Sequence, residues 1–174
     1  MRPPGRAEDG LTLIEIMVAL AMLAVLASLA VPELGRHLAR THLRASAEHL
    51  ALSLSQARFD AARRGQAMHL AIEPGERWCW SVSDAPGCGC QQVAVCQRER
   101  VAATRGQAVR IDTGLQLTFA PSADARLEPA VVDLGTRYGD RLQVRLTPMG
   151  RARVCVPPAP GAGPDAAALR PACS

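Results

Sequence analysis

The chain contains no lysine: all 20 of its basic residues are arginine, a bias that GC-rich coding produces without any functional demand. Aromatic residues are scarce, at 3% against 48% hydrophobic residues overall. A large charge excess is also missing. Charged residues make up 21%, the formal net charge is +4 and mean hydropathy is +0.04, which excludes a disordered chain, because disorder goes with low hydrophobicity and high net charge. There is no second apolar run long enough to cross a bilayer, so a multi-span membrane protein is excluded. The four histidines (His37, His42, His49, His69) have no metal-ligand spacing, and no H-E-x-x-H accompanies them. No Ser-His-Asp or Cys-His pattern is present either. Neither an enzyme nor a cofactor or metal is expected. The 174 residues amount to one ordinary domain with some extra.

What is there begins at the N-terminus. Leu11 to Val31 is an apolar run with one charge, Glu15. At about 1.5 Å per residue it covers about 30 Å, the thickness of a hydrocarbon core. Arg2 and Arg6 precede it, which keeps the N-terminus cytoplasmic. A cleaved secretory signal has a shorter apolar core ending at an A-x-A site; this run is longer and flows through Pro32 into helical sequence. A plain signal anchor shares its length. Glu15 is the discordant residue, because an acid inside a membrane is costly unless a positive partner repays it.

Gly10 followed by Leu11-Thr12-Leu13-Ile14-Glu15 resembles the class III signal of type IV prepilins. The resemblance implies that residues 1–10 are a leader and that prepilin peptidase cuts after Gly10. It further implies that Leu11, where the family usually has Phe, becomes an N-methylated mature terminus. Glu15 would pair with the terminal amine of a neighbouring subunit, and Pro32 falls where the family carries a helix-kinking proline.

Beyond Pro32, Leu34, Leu38, Leu43, Ala47, Leu50, Leu54, Ala57 and Ala61 recur every three to five positions, one stripe of an amphipathic helix. Arg36, Arg40 and Arg44 line a different, solvated face. Arg63 and Arg64 suit the negative end of the helix dipole, and Gly65 caps it. One helix over 11–64, bent at Pro32, is expected: a transmembrane segment 11–31 and an amphipathic continuation 32–65. From 66 to 156 the period is two, as in an antiparallel β domain. Three hairpins are expected: 67–72 with 77–83, 107–111 with 115–120 across Asp112-Thr113-Gly114, and 141–147 with 151–156 across Pro148-Met149-Gly150. Trp78 and Trp80 share one strand face and cover the core. Residues 157–174 form an irregular Pro/Gly/Ala-rich tail. The fold class is α+β.

Six cysteines, all downstream of the apolar run, indicate disulfides in an oxidising compartment. Cys79, Cys88, Cys90 and Cys96 lack the paired C-x2–4-C spacing of zinc sites. Cys88 and Cys90 are too close to pair with each other. Cys155–Cys173, closing the tail, is expected, with the other four pairing among themselves.

A membrane-anchored helix before a β domain is similar to the GspH/FimT family of minor pilins and pseudopilins, across most of the chain. In the last hairpin Leu142, Val144 and Leu146 face inward, so a three-residue loop sets Arg145 opposite Arg153 and Thr147 opposite Arg151. Arg145, Arg151 and Arg153 then share an exposed face, with Arg141 near, although like charges set cross-strand destabilise. Gly150-Arg151-Ala152-Arg153 also resembles the G-R-x-R motif of FimT-type pilins, which implies phosphate contacts from Arg151 and Arg153 to double-stranded DNA. The partners implied are other minor pilins, prepilin peptidase, inner-membrane lipid and DNA, with the β domain in the periplasm. Two rivals stand beside this reading: a GspH-like structural pseudopilin of type II secretion, and a single-span membrane protein that never polymerises.

Co-expression with a prepilin peptidase is expected to shorten the chain by the leader 1–10, and Gly10→Val to leave it full length. Terminal sequencing checks both; a mature terminus downstream of Val31 would defeat the prepilin reading.

Overall fold

The computed structural model describes residues 12–91, 96–104, 107–122, 126–157 and 173. Gly10 and Leu11 therefore lie outside the described residues, as does nearly all of the expected tail. The chain forms two compact units, Met1–His37 and Leu38–Ser174. Helix α1 spans Leu13–Arg64. Its first part is the one helix, among the described residues, long and apolar enough to cross a membrane, and none of that window is buried in protein. Pro32 lies inside α1; with no N–H it leaves one helical carbonyl, that of Ser28, without its usual donor.

In the Leu38–Ser174 unit the buried stripe of α1 is Ala39, Leu43, Ala47, Leu50, Leu54, Ala57 and Ala61, spaced by three and four as a helix face requires. Two residues of the expected stripe do not belong to it: Leu34 and Leu38 are 58% and 48% exposed. Leu38 to Leu43 is a step of five, which leaves the face, whereas Ala39 to Leu43 is a step of four. Gly65 takes a positive φ of 64° directly after the helix.

Eight strands follow among the described residues: β1 (Met68–Glu73), β2 (Cys79–Ser83), β3 (Gln97–Ala102), β4 (Val109–Ile111), β5 (Leu115–Phe119), β6 (Ala130–Thr136), β7 (Arg141–Leu146) and β8 (Ala152–Cys155). They form two four-stranded sheets, ordered β3-β2-β1-β5 and β4-β6-β7-β8, antiparallel throughout. The inner faces of both sheets join the α1 stripe in one hydrophobic cluster. At its centre Trp78 and Trp80 stack with ring centroids 5.1 Å apart. Each indole N–H is satisfied, Trp78 by the Val109 carbonyl at 3.0 Å and Trp80 by Ser53 Oγ at 3.3 Å, as burial of so large a polar ring demands.

Two of the three expected hairpins form. β1 pairs with β2 and β7 with β8. The middle one does not: β4 pairs with β6, while β5 pairs with β1 in the other sheet. Asp112-Thr113-Gly114 is a corner between sheets. Alternation fixes which face of a strand is buried but not its neighbour, and turn residues serve a corner as well as a hairpin. Contacts hold the corner: Gly75 N–H donates to the Ile111 carbonyl at 2.8 Å and Asp112 N–H to that of Asp133 at 2.9 Å. A Cβ on Gly114 would come within 3.2 Å of Pro74. Two strands also lie where only loops were expected. β3 is the charged edge strand Gln97-Arg98-Glu99-Arg100-Val101-Ala102, and β6 follows Pro129.

The cysteines pair as Cys79–Cys90, Cys88–Cys96 and Cys155–Cys173. The first two hold the segment 84–91 over the second face of β2, every residue of which is buried. There Ser81 Oγ donates to the Cys88 carbonyl at 3.2 Å.

Candidate functional site

At the N-terminal end, Thr12 caps α1. Its Oγ1 accepts from the Glu15 N–H at 3.3 Å, and its carbonyl from the same N–H at 3.1 Å. Thr12-Leu13-Ile14-Glu15 thus has the spacing of a capping box, a hydroxyl three residues before an acid, a signal that the reading of Glu15 as an assembly residue passed over. Glu15 stands in the first turn of the helix, where a carboxylate is favoured by the dipole, and it is exposed.

The terminal hairpin has the expected register: Arg145 lies opposite Arg153 and Val144 opposite Val154. Across the turn, Thr147 N–H donates to the Arg151 carbonyl at 3.0 Å and Gly150 N–H to the Thr147 carbonyl at 2.8 Å. Gly150 has φ 78°, the left-handed position that a three-residue loop ends on. The turn is seated on α1: a Cβ at Gly150 would lie 3.2 Å from Arg58 Cγ and 3.3 Å from its Nε. Leu127 N–H ties down Pro148 by its carbonyl at 3.0 Å.

Arg151 and Arg153 are exposed, and among the described residues neither meets a carboxylate within salt-bridge distance. Arg145 is held differently. Its Nε donates to Gln143 Oε1 at 3.4 Å, and Gln143 Nε2 donates in turn to Asp133 Oδ1 at 2.7 Å. Arg141 shares the strand face, opposite Gly135, but four residues from Arg145 along a strand is about 13 Å. The structure therefore brings Arg145, Arg151 and Arg153 together and sets Arg141 apart at the far end of β7.

Two other groups of polar side chains were not visible in the sequence. Ser53 Oγ donates to Glu99 Oε1 at 2.8 Å, and His49 Nε2 stands 3.2 Å from the same oxygen. Ser53 also accepts from Trp80, and His49 meets the Trp80 ring edge-on at 5.5 Å. Both side chains thus converge on Glu99 and brace edge strand β3 against α1. Glu73, Cys79 and Cys90 place ligand-type atoms within 4.8 Å of one another. The two sulfurs are joined, so neither is a thiolate ligand, and Glu73 instead accepts from the Cys90 N–H at 3.1 Å.

Residues 5–31 match the family model described as the prokaryotic N-terminal methylation motif. No curated protein matches the chain. Among solved structures, the type IV minor pilin FimU of Pseudomonas aeruginosa is similar at 15% identity and a TM-score of 0.50, over 68% of this chain and 90% of that one. A second crystal form of the same pilin gives 14% identity and a TM-score of 0.49, over 64% and 90%. The chain thus carries a prepilin-type N-terminal motif and has a type IV pilin fold, a long helix, apolar in its first part, whose later part packs on antiparallel sheets.

Gly150→Ala is expected to destabilise the protein by about 1–2 kcal/mol through its left-handed backbone alone, and further through the Arg58 contact. Gly139, at φ 93° with nothing near its Cβ position, isolates the backbone part. Urea unfolding of both variants checks this: equal losses would mean that Arg58 does not support the turn.

Proposed function

We propose that this chain is a minor pilin of the GspH/FimT kind whose basic terminal hairpin binds double-stranded DNA for uptake. Prepilin peptidase removes residues 1–10, Leu11 becomes the methylated terminus, and residues 11–31 hold the protein in the inner membrane with the β domain in the periplasm. The fold and the methylation motif support a pilin's work, which is association with other pilins rather than catalysis. The DNA reading rests on one observation above the others: Arg145 and Arg153 are direct cross-strand partners, with Arg151 two residues along the same face. Like charges set on facing strands cost stability, and an anionic ligand bridging them offsets that cost. Guanidinium suits phosphate through its bidentate fork, and contacts of this kind position a protein on DNA without reading its bases.

In this reading Glu15 pairs with the terminal amine of a neighbouring pilin, in a medium where a lone charge is far costlier than a paired one. Glu15→Leu is expected to be cleaved and inserted normally but to fail to crosslink with partner pilins. Normal assembly of the variant would remove that role and leave Glu15 to the helix cap.

Residues 36–174 are expected to bind duplex DNA weakly and with little sequence preference. With about three phosphate contacts, log K should fall against log salt with a slope of roughly −3. Arg151→Gln with Arg153→Gln should remove about two units of that slope and most of the affinity, with the fold intact because both side chains are exposed. Titration of labelled DNA at two salt concentrations checks this. Equal binding by both proteins would leave the hairpin an ordinary solvated surface, and no binding at low salt would favour the type II secretion pseudopilin, which needs no nucleic acid.

A further inference from the structure

The chain has five aromatic residues besides histidine: two Trp, two Phe and one Tyr. Trp78, Trp80 and Phe119 are fully buried in the core. The single tyrosine is not. Tyr138 stands on the turn between β6 and β7, 37% exposed, and the turn that carries it is closely built around Thr136. Thr136 Oγ1 accepts from the Tyr138 N–H at 3.2 Å and from the Asp140 N–H at 3.3 Å. The Thr136 carbonyl accepts from Gly139 N–H at 3.1 Å, and its own N–H donates to the Asp140 carbonyl at 2.9 Å. Gly139, at φ 93°, makes the reversal tight.

This fixed turn presents a cation and a ring together. The Arg137 guanidinium lies 5.0 Å from the Tyr138 ring centroid, and its Nη2 donates to the phenol oxygen at 2.9 Å. Beside them Asp140 accepts from Arg40 Nε of α1 at 2.9 Å. Arg44, one helical turn beyond Arg40, and Arg141, next along β7, are both exposed. Arg40, Arg137 and Arg141 thus surround Asp140 and the exposed tyrosine, with Glu48 one helical turn beyond Arg44 and Asp112 behind Gly135, opposite Arg141.

We propose that the β6–β7 turn, with Arg40 and Arg44, is a docking platform for the anionic headgroups of a phospholipid surface. Guanidinium groups bind phosphate esters through charge-assisted hydrogen bonds, and tyrosine, with an apolar ring and a polar tip, favours the headgroup layer. Chain connectivity selects lipid over other polyanions. Arg40 follows Val31, the last residue of the apolar run, by nine positions. Those positions cover about 14 Å as helix and at most about 32 Å when extended. A membrane that holds residues 11–31 is thus present at high effective concentration, where any other polyanion must arrive by diffusion. The platform rests on the reading of residues 11–31 as membrane-spanning.

The single tyrosine supplies the probe. The full chain, labelled with fluorotyrosine, is reconstituted into nanodiscs of phosphatidylcholine with and without phosphatidylglycerol, each doped with a headgroup-chelated paramagnetic ion. Fluorine line broadening of Tyr138 should be several-fold greater in the anionic discs. It should fall to the zwitterionic level at high salt, where the screening length drops to about 3 Å. Arg137→Gln with Arg141→Gln should abolish the difference, whereas Arg151→Gln with Arg153→Gln should leave it. Equal broadening in both discs would overturn headgroup recognition. A resonance that responds to added duplex DNA but not to lipid would overturn it in favour of nucleic acid. Alkaline extraction separates the two readings: a chain released from the discs defeats the anchor, and one retained with an unmoved resonance defeats the platform.

Discussion

Both sheets of the Leu38–Ser174 unit are arranged under the constraint that one narrow stripe of α1 must be covered along its length. That stripe mixes small and larger residues, running Ala39, Leu43, Ala47, Leu50, Leu54, Ala57, Ala61. Alanine leaves room for bulky partners, and the stacked indoles of Trp78 and Trp80 are what the β layer supplies against it. In a chain so poor in aromatics, two of the five are committed to one stack. The corner at 112–114 follows from the same demand. A hairpin of β4 with β5 would have extended one sheet past the helix, whereas sending the strands to different sheets closes the cover from both sides.

Sheet β3-β2-β1-β5 has a second face, and here the chain uses crosslinks in place of more apolar residues. β2 is buried on both faces, yet its second face carries Cys79, Ser81 and Ser83. What covers it is the segment 84–91, pinned by Cys79–Cys90 and Cys88–Cys96. Residues 84–91 hold no large apolar side chain and do not repay their own ordering by burial. Crosslinks reduce the entropy of the unfolded chain instead, by about 2–3 kcal/mol for closed loops of roughly ten residues in the chain-entropy model. Cys155–Cys173 does the same for the C-terminal segment, which returns to β8 with the Cys173 N–H donating to the Val156 carbonyl at 3.1 Å.

Much of this was legible in the sequence where one local rule decided. Period-two alternation with turn residues placed the β1–β2 and β7–β8 hairpins, and the Leu142-Val144-Leu146 face fixed the register of the latter, since a slip by one residue buries arginine. The rule failed where the answer depended on distant neighbours. Nothing local distinguishes a corner at Asp112-Thr113-Gly114 from a hairpin turn. β3 reads as a loop because alternating Arg and Glu carry no apolar signal, yet an edge strand braced by Ser53 and His49 through Glu99 needs none. The two arginine clusters differ in the same way. Arg151 and Arg153 are two apart in sequence and so were visible, whereas Arg40 meets Asp140 only through the fold.

Strand β7 divides the basic surface into two parts. Arg141 stands at one end, beside the Thr136-anchored turn, and Arg145 near the other, opposite Arg153. Their separation of about 13 Å exceeds the screening length of about 8 Å at physiological ionic strength, and Arg151 is farther still. Within that distance Gln143 and Asp133 occupy the middle of the outer face and hold Arg145 by a hydrogen-bond relay. An acid placed between two basic ends keeps each end's field local. The two clusters are thus electrostatically independent, although one six-residue strand carries residues of both, and an anion bound at one end leaves the charge at the other unspent.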